Sequence, residues 1–308
     1  MKAVLLVNMG SPSSEKEMKV FLERMFRDKS ILNVNPVLRY FLSFLISSLR
    51  YKKSWRKYQV IGGSPLIQSM NAIRAGMEKS LPEGFIVQCA FSYSEPGIGR
   101  ALQSLSTKGV TDFIVLPMYP HNCFSTSGSI VSSIEWFKKK NAGCSIKIIS
   151  NYFASPGFIS YWEDLIKKHI AGNNYSDPYL LFSAHSVPEY QVANGDTYTS
   201  HIAENARLLA EKLQLGFSVG YQSKIGRLKW FGPDTYSILR DLHRQKVEQV
   251  VIVPISFVNE NLETLYDIDL EMLTFARKLG FKQISRVTLP HSHQLLTNTF
   301  KELIFNKL

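Results

Sequence analysis

The sequence predicts an α/β protein: two Rossmann-like lobes, each a mainly parallel four-stranded sheet flanked by helices, with a cleft between them. Three observations carry this. Short apolar runs alternate with stretches of helical period, the rhythm of parallel strands joined by crossover helices. Leu5–Pro12, which reads Leu-Leu-Val-Asn-Met-Gly-Ser-Pro, is echoed by Leu181–Pro188, Leu-Phe-Ser-Ala-His-Ser-Val-Pro. Val110–Pro117 is echoed in the same way by Val247–Pro254. The chain therefore divides into related halves, a first lobe over residues 1–154 and a second over 155–308.

The expected strands are Val4–Val7, Ile86–Ala90, Phe113–Leu116 and Lys147–Ile149 in the first half. In the second they are Tyr179–Phe182, Phe217–Tyr221 and Val250–Val253. Ligands of such sheets bind beyond the C-terminal strand ends, where His185, Gln222, Glu263 and the Tyr119–Ser129 stretch fall. No Gly-x-Gly-x-x-Gly or phosphate loop follows any strand, and Gly62-Gly63-Ser64-Pro65 reads as a turn.

The first half is the longer, and its excess lies mostly between Met18 and Tyr58. There Leu38, Phe41, Leu42, Leu45 and Leu49 share one helical face, with Arg39, Ser43, Ser47 and Arg50 on the other. The apolar run Tyr40–Leu49 is far short of the roughly 20 residues that a spanning helix needs. Arg50, Lys52, Lys53, Arg56 and Lys57 follow, interleaved with Tyr51, Trp55 and Tyr58. Such a segment packs on its own lobe, lies at a bilayer surface, or does both as a pocket lip; the membrane alternative places peripheral contact over residues 36–58.

Composition bounds the function. A chain of 308 residues with 45% hydrophobic content can bury two cores. Cys89, Cys123 and Cys144 lack a Cys-x-x-Cys spacing, which argues against a disulfide framework or a thiolate metal knuckle. The N-terminal apolar run is too short for a signal sequence, so a cytoplasmic setting is expected. A net charge of +11 favours an anionic partner, but with no nucleic-acid motif and no long basic run, nucleic acid is not expected.

The chemistry concentrates in the second half. Glu263, Asp267 and Glu271 are spaced i, i+4, i+8, so on an α-helix their carboxylates form one line. Leu262, Leu265 and Tyr266 among them are expected to pack against the protein. The line is either a solvated helix face or a site for a cation or for protons in transfer. His185 sits in a turn after a strand, where imidazole can cap a helix, accept a proton near neutral pH or bind a divalent metal. His185 with Glu263 offers one nitrogen and one oxygen, too few for a permanent metal and suited to a transient Fe²⁺-type ion. His121 with Cys123, and His291 with His293, are weaker pairs; the latter reads as a surface loop. Tyr221–Pro233 combines aromatics, glycines and cations directly after a strand.

Several segments taken in order resemble the ferrochelatases, which insert Fe²⁺ into a porphyrin in haem synthesis. They are Leu5–Pro12, Ile61–Leu66, Ser125–Ser129, Phe182–Pro188, Tyr221–Lys224 with Trp230–Pro233, and Glu263–Asp269. The resemblance implies a porphyrin metal-insertion lyase acting on protoporphyrin IX and releasing two protons, with a hydrophobic lip over about residues 18–58. Coproporphyrin III, another tetrapyrrole metallation, or a non-catalytic porphyrin-binding protein are the alternatives. By this resemblance His185 and Glu263 are catalytic and contact the metal, while Asp267 and Glu271 form a path for protons or metal. Met9, Arg50, Tyr58, Ser64, Tyr93, Gln222, Ser223 and Trp230 correspond to porphyrin-binding positions. Two departures stand out. Asn261 occupies a position where some members have His, and the last cysteine is Cys144, so no iron–sulfur cluster or other resident cofactor is expected.

Overall fold

The computed structural model describes residues 1–224 and 228–308 and divides into two compact units, Met1–Ser150 with His291–Leu308, and Asn151–Pro290. The first unit runs β1 (Lys2–Asn8), α1 (Glu15–Arg27), α2 (Pro36–Val60), α3 (Leu66–Ser80), β2 (Phe85–Phe91), α4 (Ile98–Ser106), β3 (Asp112–Pro117), α5 (Phe124–Lys138) and β4 (Ser145–Ile148). The second runs α6 (Pro156–Gly172), β5 (Tyr179–His185), α7 (Glu189–Ala193), α8 (Tyr198–Leu213), β6 (Phe217–Gln222), α9 (Thr235–Arg244), β7 (Gln249–Val253), the π-helix π1 (Glu263–Met272), α10 (Leu273–Leu279) and β8 (Gln283–Arg286). A last helix, α11 (Gln294–Phe305), closes the chain.

Each unit holds a four-stranded parallel sheet, in the orders β2-β1-β3-β4 and β6-β5-β7-β8. These are one order repeated, so the sequence echo is a structural duplication. Strands buried on both faces read as continuous apolar runs, which is why they were visible. In the first unit Leu5, Val7, Phe113 and Val115 pack with Leu102, Ile134 and Phe137. In the second, Leu181, Val250 and Ile252 pack with Leu239, Leu242, Ile268 and Met272.

One expectation is corrected here. The second lobe does not extend to residue 308, because α11 belongs to the first unit. Leu296, Phe300 and Ile304 form its buried stripe, and it packs on α3. His291 Nδ1 meets Ser69 Oγ at 2.7 Å and Phe305 packs edge-on to Phe85, so the His291 loop is exposed but anchored.

Packing decides the orientation of α2, which the sequence left open. Ser43 and Ser47 are its innermost residues, fully buried, whereas Val37 is 80%, Phe41 60% and Leu49 74% exposed. The small serines let α1 approach with Met18, Phe21, Leu22 and Phe26, and each hydroxyl donates to a carbonyl three residues back, Tyr40 at 2.7 Å and Phe44 at 3.0 Å. The helix is thus turned with its apolar face outward. Among the described residues no helix is long and apolar enough to cross a membrane.

Candidate active site

The second unit assembles the groups singled out in its sequence. His185 is the last residue of β5 and half-buried, and the preceding Leu180–Ala184 are fully buried, so the strand fixes its backbone. Its backbone N–H donates to Ser256 Oγ at 3.2 Å, tying it to the loop after β7 that leads to Glu263. Its ring Nδ1 lies 2.7 Å from the Ser186 carbonyl oxygen. A carbonyl only accepts, so Nδ1 carries the proton and Nε2 presents its lone pair. That nitrogen can take a proton or bind a metal.

Glu263 begins π1, beyond the end of β7, the strand that pairs with β5. The helix is wider than the expected α-helix, with i→i+5 bonding. Residues four apart then fall slightly short of a full turn instead of slightly past it, and Glu263, Asp267 and Glu271 keep one face. Glu263 and Asp267 are half-buried and Glu271 is exposed, so the row grades outward from the sheet edge to solvent. The packing stripe is Thr264, Ile268 and Met272, all buried, whereas Leu265 and Tyr266 are only half-buried. Tyr236 on α9 reports the row's field: burial, then the carboxylates of Glu271, Asp267 and Asp234, push its phenol up and keep it protonated.

Glu260, three residues before Glu263, faces elsewhere. It is buried in an ion pair with Arg286 of β8, whose Nη1 lies 2.9 Å away, and accepts the Leu289 N–H at 2.8 Å. The same guanidinium makes a bidentate bond to Asp269 of π1, both contacts at 2.7 Å. Arg286 therefore clamps the acidic helix from below, at residues before Glu263 and after Asp267. Nothing in the sequence marked this arginine, which sits on a four-residue polar strand.

The strand-end residues of β6 close the arrangement. Gln222 is the register partner of His185, is 4% exposed, and neither atom of its amide is hydrogen-bonded among the described residues. Ser223, with φ of 65°, donates to Asp267 Oδ2 at 3.0 Å. Trp230 bridges Pro188, and the Phe231 carbonyl accepts from Ser186 Oγ at 2.8 Å, so the Trp230 segment lies against the His185 turn. Gly220 lets α9 approach β6, since a Cβ there would meet the Thr235 backbone at 2.9 Å. Ile225–Arg227 of the Tyr221–Pro233 stretch lie outside the described residues.

An imidazole with an available nitrogen, a graded carboxylate row and a flat aromatic beside them suit moving protons and a divalent ion at a planar ligand. No group of three or more His, Cys, Asp or Glu side chains that could hold a metal ion exists among the described residues. The family profile described as ferrochelatase matches residues 1–308. The chain belongs to the ferrochelatase family.

Among its relatives, the ferrochelatase of Geobacter metallireducens is 32% identical over 98% of this chain and 97% of its own length. That of Aquifex aeolicus is 30% identical over 100% and 99%. Among solved structures, SirB from Bacillus subtilis with Fe³⁺ superposes with a TM-score of 0.63 at 13% identity, covering 99% of this chain and 95% of that one. CbiX, described as the terminal enzyme of siroheme biosynthesis in denitrifying bacteria, gives 0.58 at 14% identity, covering 99% of each. At such identities these two establish the two-lobe fold.

The ferrochelatase-like positions of the first unit have their own settings. Met9, half-buried after β1, accepts the Tyr93 N–H on its carbonyl at 3.0 Å. Gly10 follows with φ of 91°, where a Cβ would strike Ser94 at 2.5 Å. Tyr93 is 5% exposed, its hydroxyl donating to Asp28 at 2.9 Å and its ring edge-on to Phe21. Tyr58 is 8% exposed and stacks on Trp55. Arg50 is exposed, its guanidinium 5.9 Å from the Phe26 ring, and Ser64 Oγ accepts the Leu66 N–H. His121 and Cys123 are both buried.

Proposed function

We propose that this protein is a ferrochelatase that inserts Fe²⁺ into protoporphyrin IX and releases two protons. The observation that carries it is the His185 ring, held by Ser186 with Nε2 available, on the strand edge that leads to the Glu263–Asp267–Glu271 row. Metallation exchanges two pyrrole N–H protons for one divalent ion, so proton acceptors must stand where iron arrives. His185 Nε2 serves as the acceptor, Glu263 as the oxygen partner for iron, and Asp267 and Glu271 lead charge to solvent. The unengaged amide of Gln222 supplies a donor and an acceptor to the edge of the ring, with Ser223 and Trp230 beside it. Met9, Arg50, Tyr58, Ser64 and Tyr93 are assigned to porphyrin by resemblance alone. Iron enters this proposal as substrate, not as resident cofactor.

The test compares initial rates of anaerobic iron insertion into protoporphyrin IX and coproporphyrin III. Faster turnover of protoporphyrin supports the proposal. A clear preference for coproporphyrin would reassign the substrate.

We also propose that the outward face of α2 contacts a membrane surface peripherally, which suits an apolar substrate. Exposed Phe41, Phe44 and Leu49, with Arg50, Lys52 and Lys53 behind them, support this reading. Wild-type protein should co-sediment with phosphatidylserine-containing vesicles, and the Phe41→Ser/Phe44→Ser/Leu49→Ser variant should lose most of that binding. Equal sedimentation of both would refute membrane contact through this face.

A further inference from the structure

Asn261 opens the acidic helix through a reciprocal pair of bonds. Its Oδ1 accepts the Thr264 N–H at 3.0 Å, and Thr264 Oγ1 accepts the Asn261 N–H at 3.0 Å. Its carbonyl takes the Leu265 N–H at 3.1 Å, the first bond of the turn. This is a capping box, with Thr in the place usually held by Glu or Gln. Asn261 is 8% exposed and Thr264 fully buried, so water cannot replace these bonds at low cost. Glu263 lies inside the box, one residue before Thr264. Its projection is set by the backbone that the box locks.

We propose that Asn261 is a positioning residue for the metal-handling step: its amide, bonded to Thr264, fixes the turn from which Glu263 projects, without itself carrying a proton. An imidazole can do the same work, since His293 caps α11 in this chain by accepting the Leu295 N–H on Nδ1 at 3.3 Å. What the turn requires at 261 is thus a hydrogen-bond acceptor. The inference rests on the proposed activity.

The experiment varies Fe²⁺ at saturating porphyrin under anaerobic conditions, with folding checked by circular dichroism. Asn261→Ala should lose roughly 10- to 100-fold in kcat/KM for iron, the usual scale for a group that orients a ligand, while the KM for porphyrin stays at the wild-type value. Asn261→Ser, which restores an acceptor, should recover most of the loss. Thr264→Val should repeat the Asn261→Ala defect, and the double variant should be no worse than either single one. Wild-type iron kinetics in a folded Asn261→Ala protein, or additive losses, would each overturn the proposal. Should Asn261→Ala fail to fold, Thr264→Val against Thr264→Ser decides by the same criteria. A wild-type protein that metallates nothing refutes the activity instead, and titration with Zn²⁺ then reads the same order of variants without turnover.

Discussion

Replacing His185 with alanine should leave a folded protein that binds porphyrin and metallates it about 10²- to 10⁴-fold more slowly, the range for removal of a positioned general base. The fold should survive because β5 is anchored by Leu180–Ala184, all buried, while the half-buried ring makes one bond, to Ser186. Glu263→Gln should give a comparable loss. Glutamine keeps the shape and removes the charge that draws iron and protons to the start of π1. The readouts are porphyrin binding by fluorescence quenching and iron insertion by absorption, measured on the same samples. Normal turnover in either variant removes that residue from its assigned role.

The largest effect on stability should come from Arg286. Its side chain is 3% exposed, and it pairs with Glu260, itself 7% exposed, and with Asp269. Burial alone would push the guanidinium down, but the bonds and charges of Asp269 and Glu260 more than offset it and hold it above its ordinary value. Arg286→Met leaves Glu260 buried without its counter-charge, an arrangement that costs about 3–5 kcal/mol. Chemical denaturation should show this loss, and adding Glu260→Gln should recover part of it. An unchanged midpoint would mean that the clamp contributes nothing. The pH dependence points the same way. Burial and then the Arg286 charge hold His169 below the usual imidazole range, so the unfolded chain takes up its proton first. The His169 contribution is present above about pH 6.5, the ordinary imidazole value, and is lost as pH falls below it. Arg286→Met should raise the His169 midpoint in a proton NMR titration.

The sequence was most informative where burial forces continuous apolar runs. Seven strands were legible, the central β1, β3, β5 and β7 on that ground, and the repeated Leu5–Pro12 pattern pointed to the duplicated lobes. β8 was not, because Ile284 is the one apolar residue of Gln283–Arg286. The sequence left the orientation of α2 open for a related reason. Periodicity locates a face but does not say which way it turns, and only the packing of α1 against Ser43 and Ser47 decides that. At the site, residue type and strand-end position were enough to single out His185, Glu263 and Asp267 as candidates. The hydrogen bonds around them were invisible: Ser186 setting the tautomer, Ser256 tying two strand ends, and Arg286 pairing with Glu260. The last two join residues far apart in the chain, whose pairing no single segment encodes.

The central claim is that His185 and the acidic row carry iron into a bound porphyrin. A single-turnover experiment tests it most directly: porphyrin-loaded protein is mixed with Fe²⁺ without oxygen while the absorption spectrum is followed. The account predicts conversion of the free-base bands to those of haem in the wild type and near-arrest in His185→Ala at equal porphyrin occupancy. Free-base porphyrin that persists in the wild type, or equal conversion rates in the two proteins, would contradict it.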